Sequence, residues 1–338
     1  MTDDRLCGSI LGQALGDALG FVVEAQPPEV ARVYVEGWLR AGRAGEWAHP
    51  QFPFGQYSDD TQLARELLRS FQDAGGWSPA AFAGRLAELF REGSEVGAGR
   101  GTRSAALRLL MGVAWHEAGT PAPYAGNGGA MRAGPLGLLL RDRAAMCRAA
   151  REQARVTHLD QRCAAGAVTV ARAVALAGQR ASVEPAAFLA ELAGWAEADD
   201  SSVADAIRRL PEWLHLEPEA AARHVHESGL DPAHIHRWQG ISAFVIPSVL
   251  WSLYAFLRSP DDYWETICTA IAVGGDTDTM AAIAGAISGA RVGVAGLPQD
   301  LVARVNDRGS WGADALTGLA LSCERLTSHS DSAGSRSA

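Results

Sequence analysis

Two short clusters of oxygen-bearing side chains stand where amphipathic or apolar segments begin. Ser58-Asp59-Asp60-Thr61 precedes a segment that ends at Phe71, and Asp276-Thr277-Asp278-Thr279 precedes an apolar run from Met280. Ser, Asp and Thr are favoured helix N-caps, and one such side chain serves the first turn. Adjacent carboxylates repel each other unless a cation neutralises them. Each cluster alone fits a cap, whereas the two together predict a site for hard cations.

Two further acids occur near the N-terminus. Asp17 and Glu24 are seven residues apart and would share one face of a continuous helix. Their neighbours are apolar, and a carboxylate in such surroundings is rarely left unpaired. Glu24 is therefore expected to meet a cation or a hydrogen-bond donor. The alternative is that Glu24 marks the solvent boundary before Pro27-Pro28.

Glycine-rich segments offer backbone amides to an anion. The first of them reads Gly126-Asn127-Gly128-Gly129-Ala130-Met131-Arg132. Its flexible backbone can converge on a phosphate, although a plain loop is the alternative and no GK[ST] sequence follows. A second segment runs from Gly97 to Arg103 and contains Gly99 and Gly101. It too could be either a phosphate-binding segment or a plain loop. Thr157-His158 precedes another predicted helix, where the histidine either contacts a ligand or acts as a cap.

Composition bounds the class of protein. The 338 residues are 48% hydrophobic, enough for a large core, and the net charge is −9 without a run of Lys or Arg. Nonspecific nucleic-acid binding is therefore not expected. Five scattered cysteines predict reduced thiols. The N-terminus lacks a basic leader, and Gln13 and Asp17 interrupt the apolar stretch that follows, so we expect a cytoplasmic protein without membrane association. We also expect a monomer.

Apolar residues recur at helical spacing, and alternating β-type runs are nearly absent, which predicts an all-α fold. The predicted helical segments are 80–91, 103–118, 162–177, 186–198, 241–257 and 265–273. Residues 42–57 and 119–135 are rich in Gly and Pro and are candidate functional loops. Residues 199–237 form a polar, peripheral insertion. We expect one domain over 1–322 and a disordered tail over 323–338, because the tail is poor in apolar residues.

Two predicted helices carry glycine at every fourth position. Residues 8, 12, 16 and 20 form one stripe, and residues 285, 289 and 293 form the other. Each helical Gly costs about 0.8–1 kcal/mol relative to Ala, so a compensating contact is expected. Close backbone approach between helices is the predicted gain. The alternative is that the glycines merely fit a tight core.

The chain resembles the ADP-ribosylglycohydrolase family from about Arg5 to Leu321. Five motifs occur in family order, namely Gly16-Asp17-Ala18-Leu19-Gly20 with Glu24, Ser58-Asp59-Asp60-Thr61, Gly126 to Arg132, Thr157-His158, and Gly275-Asp276-Thr277-Asp278-Thr279. The resemblance implies a compact orthogonal bundle of helices with a central cleft. Two Mg²⁺ ions, with Mn²⁺ as an alternative, would lie in that cleft, and ADP-ribose would bind across it.

The resemblance also assigns roles to residues. It gives the metal ligands as Ser58, Asp59, Asp60, Asp276, Asp278 and Thr279. Glu24 corresponds to an acid on a mobile flap, and Glu24, Asp59 and Asp60 are the candidate catalytic acids and bases. The ligand-binding residues would be Asn127, Gly128, Gly129, Ala130, Met131, His158, Gly99 and Gly101. Which acid donates the proton and which accepts it stays open.

The implied reaction is hydrolysis of the glycosidic bond between the anomeric carbon of ADP-ribose and an acceptor. The acceptor would be a protein side chain, a small molecule or a nucleic-acid base. The alternatives are a catalytically silent ADP-ribose-binding or structural protein and a metal-dependent phosphohydrolase. Relatives that act on ADP-ribosylarginine carry a motif resembling Asp-Ile-Gly at the position where this chain has Gly97-Ala98-Gly99. We therefore expect slow hydrolysis of arginine linkages, unless Glu95 supplies the missing acid.

Overall fold

The computed structural model describes residues 2–179, 181–229 and 239–334, and this part of the chain contains sixteen α-helices and no β-strand. The first eight are α1 (Thr2–Phe21), α2 (Pro28–Tyr34), α3 (Asp59–Ala74), α4 (Pro79–Arg91), α5 (Arg100–Leu110), α6 (Leu136–Leu139), α7 (Arg143–Arg155) and α8 (Gln161–Gln179). The others are α9 (Pro185–Ala196), α10 (Ser201–Arg209), α11 (Pro218–His226), α12 (Val245–Arg258), α13 (Tyr263–Ala272), α14 (Thr277–Val292), α15 (Gln299–Val302) and α16 (Ala313–Gly334). The predicted all-α fold is confirmed.

The spacing of apolar residues predicted where the helices lie more accurately than where they begin and end. The segment predicted over 103–118 is helical only to Leu110, because Gly112 adopts a left-handed conformation with φ +85° and breaks the helix. The segment predicted from residue 241 becomes helical only at Val245. Before that point the chain runs extended, and the Phe244 region pairs with Gly126 of the first glycine-rich segment.

The two glycine stripes face each other where α1 and α14 pack antiparallel. A Cβ atom added at Gly8, Gly12, Gly16 or Gly20 would lie within 3.0 Å of a backbone carbonyl oxygen of α14. The facing residues are Gly289, Gly285, Ala281 and Thr277 in that order. The predicted close approach of helix backbones is confirmed, and it requires glycine along this face of α1 and at positions 285 and 289 of α14.

This pairing brings the C-terminal end of α1 to the N-terminal end of α14. The Thr277 hydroxyl donates to the Gly20 carbonyl at 2.8 Å, and the Ala25 amide donates to the Gly275 carbonyl at 2.8 Å. Helix α1 ends at Phe21, so Glu24 lies in the turn that follows it and does not share a helix face with Asp17. The turn nevertheless places Glu24 beside the second acidic cluster.

Asp17 fixes the start of α3 against α1. Its fully buried carboxylate accepts hydrogen bonds from the Ser58 amide at 2.8 Å and from the Thr61 amide at 2.9 Å. The Thr61 hydroxyl donates to the same carboxylate at 2.6 Å. Asp17 thus satisfies orphan amides of the first turn of α3 and orients the first acidic cluster.

The C-terminal helix passes through the predicted domain boundary. Helix α16 runs to Gly334, and within it Cys323 is fully buried and donates from Sγ to the Leu68 carbonyl at 3.1 Å. The fold therefore extends past residue 322, because Cys323 packs against α3, and residues 335–338 lie outside the described residues.

The polar insertion predicted over 199–237 contains α10 and α11, and its residues 230–237 likewise lie outside the described part. Among the described helices, none combines the length and apolar character needed to cross a membrane.

Candidate active site

A cleft of about 330 Å³ joins the two acidic clusters to the glycine-rich segments. Its acidic end is lined by Glu24, Asp59, Asp60, Asp276, Asp278 and Thr279. Its opposite end is lined by Gly99, Gly101, Tyr124, Asn127, Gly128, Met131, His158 and Phe244. Residues from seven separate stretches of the sequence thus meet around one cavity, as is typical of a ligand-binding site.

Three carboxylates at the acidic end converge tightly. One oxygen each from Glu24, Asp276 and Asp278 lies within 4.8 Å of the other two. Asp59 and Asp60 reach the same cavity from the start of α3. No Lys, Arg or His forms an ion pair with any of these five acids in the part of the chain that the structure describes. Their negative charge is therefore not balanced by protein cations.

Two carboxylate oxygens of the cleft are left without hydrogen-bond donors from the described part of the chain. Asp59 Oδ2 and Asp60 Oδ1 are buried and have no partner within the described residues. By contrast, Asp60 Oδ2 accepts from the Ser58 hydroxyl at 2.9 Å, and Asp276 Oδ2 accepts from the Asn127 amide group. Buried carboxylate oxygens without donors are costly, and they are the atoms that a hard cation binds.

Burial raises the pKa of every acid in the cluster, and the charges of neighbouring acids add to this effect for all of them except Asp276. Burial and then the charges of Asp276 and Asp59 raise the pKa of Glu24 to about 8. Burial and then the charge of Asp17 raise the pKa of Asp59 to about 8. Burial also lifts the pKa of Asp60 and Asp278 well above their usual range. In the absence of a cation, these groups therefore hold protons that free carboxylic acids would have lost.

At the opposite end, the His158 ring stacks on Tyr124 with ring centroids 5.8 Å apart. The backbone around the ring is glycine: a Cβ at Gly101, Gly126 or Gly128 would lie 2.7–2.9 Å from an imidazole atom. The Gly128 amide has no acceptor among the described residues, whereas the Asn127 amide donates to the Ala243 carbonyl. A free amide in a glycine cradle suits an anionic oxygen.

Three predicted site residues do not line the cleft. Ser58 is fully buried and caps α3, where its hydroxyl accepts from the Asp60 amide. Gly129 packs against α7, since a Cβ there would lie 2.8 Å from Ala154, and Ala130 is buried in the core. Neighbouring residues of a compact turn point in different directions, so a contiguous motif supplies only some of its members to a ligand.

Other cleft residues carry no motif and were not predicted. Tyr124 lies in the Gly- and Pro-rich segment 119–135, and Phe244 immediately precedes α12. The available signal for Tyr124 was an aromatic residue beside a glycine-rich segment, whereas Phe244 lay within the predicted helical segment 241–257 and pairs with Gly126 only in the fold. Arg100 also lines the cleft, with its guanidinium 5.4 Å from the centre of the Tyr124 ring. By contrast, Glu95 forms an ion pair with Arg103 at 2.7 Å and does not line the cleft.

The family model described as ADP-ribosylglycohydrolase matches residues 1–333, and the chain belongs to that family. It is therefore an enzyme of the class that hydrolyses glycosyl bonds, and the resemblance seen in the motifs is confirmed.

Named relatives cover nearly the whole chain. ADP-ribosylhydrolase ARH3 of Homo sapiens is 31% identical, with 87% of each chain covered. ADP-ribosyl-[dinitrogen reductase] glycohydrolase of Rhodospirillum rubrum is 29% identical, with 90% of each chain covered. A solved structure titled "ADP-ribosylglycohydrolase-related protein complex" superposes with a TM-score of 0.71 at 27% identity and covers 96% of this chain and 99% of that one.

Proposed function

We propose that this protein is a Mg²⁺-dependent hydrolase that releases ADP-ribose by cleaving the bond between its anomeric carbon and an acceptor. The observation that carries the proposal is the cluster of five acids that form no ion pair within the described residues. Across the same cleft lies a glycine-framed wall, which consists of Gly101, Gly126 and Gly128 around His158. The acids fit divalent cations, and the wall fits a diphosphate. The acceptor would be a protein side chain, a small molecule or a nucleic-acid base, and the enzyme would act as a cytoplasmic monomer.

The donor set fits two Mg²⁺ ions, with Mn²⁺ as an alternative. Carboxylate and hydroxyl oxygens are the ligands of hard cations, and the unpartnered oxygens of Asp59 and Asp60 are available to them. Asp276, Asp278 and Thr279 would complete the set from the start of α14, and Ser58, which does not line the cleft, would orient Asp60 through the hydrogen bond from its hydroxyl. Bound ions of this kind orient sugar hydroxyls and make a nearby water more acidic.

The protein's own side chains would position ADP-ribose and move the protons. The Gly128 amide and His158 would hold the diphosphate, which places the distal ribose at the acidic end. Glu24 is half-buried at the edge of the cleft, and its raised pKa suits exchange of a proton near neutral pH. Glu24, Asp59 and Asp60 are therefore the groups that would activate water and protonate the departing acceptor.

Replacing single carboxylates tests the metal centre. We expect Asp59→Asn and Asp278→Asn to weaken Mg²⁺ binding at least about 10-fold, because each removes a buried anionic ligand. Asp300→Asn, which alters an exposed acid in α15, is the matched control and should bind Mg²⁺ as the parent protein does. Titration calorimetry measures all three. Unchanged Mg²⁺ affinity in both cleft variants would show that the centre is misassigned.

The acceptor preference follows from the acid that is missing near Gly97. A guanidine leaves the anomeric carbon only with well-placed protonation, and one positioned acid is worth about 10²–10⁴ in rate. We expect turnover of ADP-ribosylarginine to be slower than turnover of an O-linked substrate by a factor in that range. The ion pair with Arg103 supports this expectation, because it keeps Glu95 out of the cleft.

Parallel turnover assays, read by mass spectrometry, decide the acceptor. Suitable substrates are ADP-ribose linked to arginine, to serine, to a base and to acetate. Faster release from arginine, lost in Glu95→Gln, would contradict the predicted preference. Binding of ADP-ribose without any product would indicate a silent binding protein. Products that keep the glycosidic bond would indicate a phosphohydrolase.

A further inference from the structure

His158 is joined to a buried cation through a single hydroxyl. The Thr157 hydroxyl lies 2.8 Å from His158 Nδ1, and Arg132 Nη2 donates to the same hydroxyl at 2.7 Å. Arg132 and Thr157 are fully buried, and His158 is 4% exposed. The three side chains form a chain of hydrogen bonds that ends in the cleft.

The chemistry of arginine sets the direction of this chain. A guanidinium has only donors, so the Thr157 oxygen accepts from Arg132, and its own hydrogen must point elsewhere. Two acceptors are in reach, namely His158 Nδ1 at 2.8 Å and the Ala154 carbonyl at 3.4 Å. The shorter contact is a normal hydrogen bond, whereas the longer one is at the limit. Thr157 therefore donates to Nδ1, and the imidazole hydrogen resides on Nε2.

Arg132 is held in place and stays charged. Its guanidinium donates to the Gln153 side chain at 2.8 Å and to the Gln153 carbonyl at 2.9 Å, and it stacks over the Phe82 ring at 5.2 Å. Burial lowers the pKa of Arg132 only to about 9. Burial and then the charge of Arg132 lower the pKa of His158 to about 3, against the opposing effect of Asp160. The imidazole is thus neutral at physiological pH, and one tautomer is selected.

The free nitrogen faces the glycine-framed wall. Nε2 lies 2.7 Å from a Cβ position at Gly101 and 2.9 Å from one at Gly126, so only glycine leaves room beside it. Nε2 has no acceptor among the described residues. A neutral donor at this position can meet an oxygen of a bound ligand without any change of protonation.

We propose that Arg132 and Thr157 are positioning residues that lock His158 as the neutral Nε2–H tautomer, which donates to a diphosphate oxygen of ADP-ribose. The tautomer follows from this chain alone, whereas the identity of the ligand rests on the proposed function. A cationic histidine would bind the diphosphate only at low pH, and the opposite tautomer would present a lone pair to an anion. The arrangement gives an orienting contact that is insensitive to pH.

Nitrogen NMR of the ligand-free, full-length protein tests the tautomer directly. With ¹⁵N-labelled histidine, the signal missing from His158→Gln identifies His158 among the nine histidines. We expect a protonated Nε2 and an unprotonated Nδ1 in the parent and in Thr157→Ser, which keeps the hydroxyl. Thr157→Val should give a mixture of tautomers. A protonated Nδ1 in the parent, or an unaltered spectrum in Thr157→Val, would overturn the proposed lock.

Calorimetry with ADP-ribose tests whether the N–H group at His158 Nε2 binds the ligand. A glutamine amide nitrogen can occupy the place of Nε2, whereas the shorter asparagine reaches only that of Nδ1. We expect His158→Asn to bind about 10- to 100-fold more weakly than His158→Gln, as is typical when a hydrogen bond to a charged group is lost. Equal affinities would contradict donation to the diphosphate. No binding to the parent, despite the expected tautomer, would refute the proposed function but leave the lock intact.

Discussion

At the scale of residues, the acids of the cleft are held against their own repulsion. The packing of α1 on α14 places Glu24 beside Asp276 and Asp278, although the three carboxylates do not attract one another. Local stability is thereby given up to prepare a cation site, as is common where ligands are preorganised. The protonated acids relieve this repulsion until a cation replaces the protons.

The raised pKa values predict how stability depends on pH. Glu24 and Asp59 titrate near 8 in the folded protein, against 4.5 and 3.8 for ordinary side chains. The folded state therefore binds more protons than the unfolded state between about pH 4 and pH 8, and stability falls as pH rises through that window. With a chelator present, we expect a lower Tm at pH 8 than at pH 6.

Mg²⁺ should reverse this trend, because it binds the ionised acids and only in the folded state. The gain in Tm on adding Mg²⁺ should be larger at pH 8 than at pH 6, and thermal unfolding at both pH values measures it. Asp59→Asn provides the comparison, since it removes one of the two acids and should flatten the dependence. A Tm that rises from pH 6 to pH 8 in chelator, equally in parent and variant, would contradict the assigned cause.

Residue types alone predicted that acids from two helix starts would be brought together, but not which members of each motif reach the cleft. The acids of both clusters line the cavity, as expected from their number and their position at helix starts. Ser58 and Ala130 turn inward, since a cap or a turn fixes the direction of each side chain separately. Tyr124 was missed because a lone aromatic residue in a loop resembles ordinary core, and Phe244 was missed because it fell within the predicted helical segment 241–257.

At the scale of elements, the contact between α1 and α14 sets the geometry of the acidic end. Gly12 contacts the Gly285 backbone so closely that even a methyl group would overlap with the carbonyl. We expect Gly12→Ala to destabilise the protein by about 1–3 kcal/mol through overpacking, despite the better helix propensity of alanine. Thermal or urea unfolding measures the change.

Gly84→Ala is the matched control for that substitution. Gly84 lies within α4, and a Cβ there would meet nothing within 4 Å. Alanine should stabilise this helix by about 0.4–1 kcal/mol, because it restricts the unfolded chain without a clash. The two glycines should therefore respond with opposite signs. If Gly12→Ala is as stable as Gly84→Ala, the close approach does not explain the stripe.

Helix periodicity is a reliable guide to such elements but a poor guide to their ends. The predicted segment 80–91 matches α4 within one residue, because Ser78 and Pro79 mark its start. The apolar pattern of α5 continues beyond Leu110 through Val113 and Trp115, although the chain has already turned at Gly112. Spacing reports which face is buried, and backbone conformation decides where the helix stops.

At the scale of the whole molecule, the sequence predicted one helical fold but not the pairing of its helices. The order of motifs indicated that Glu24, Asp59 and Asp276 act together, yet only the structure shows how they meet, through the α1–α14 contact and through the hydrogen bonds of Asp17 to the start of α3. The packing of the chain near residue 323 likewise depends on tertiary contacts. The composition of the tail suggested disorder from residue 323, whereas the burial of Cys323 beneath α3 depends on a contact distant in sequence.

The antiparallel contact between α1 and α14 has a further consequence during translation. Gly20 and Thr277, which meet at the acidic end, are separated by 257 residues. A ribosome adds about 5–20 residues per second, so α1 waits on the order of tens of seconds for its partner. Its bare glycine face, which no side chain shields, must meanwhile be tolerated by the nascent chain or covered by a chaperone. The acidic end of the cleft is consequently assembled late in synthesis, and a chain that terminates before α14 lacks Asp276 and Asp278 altogether.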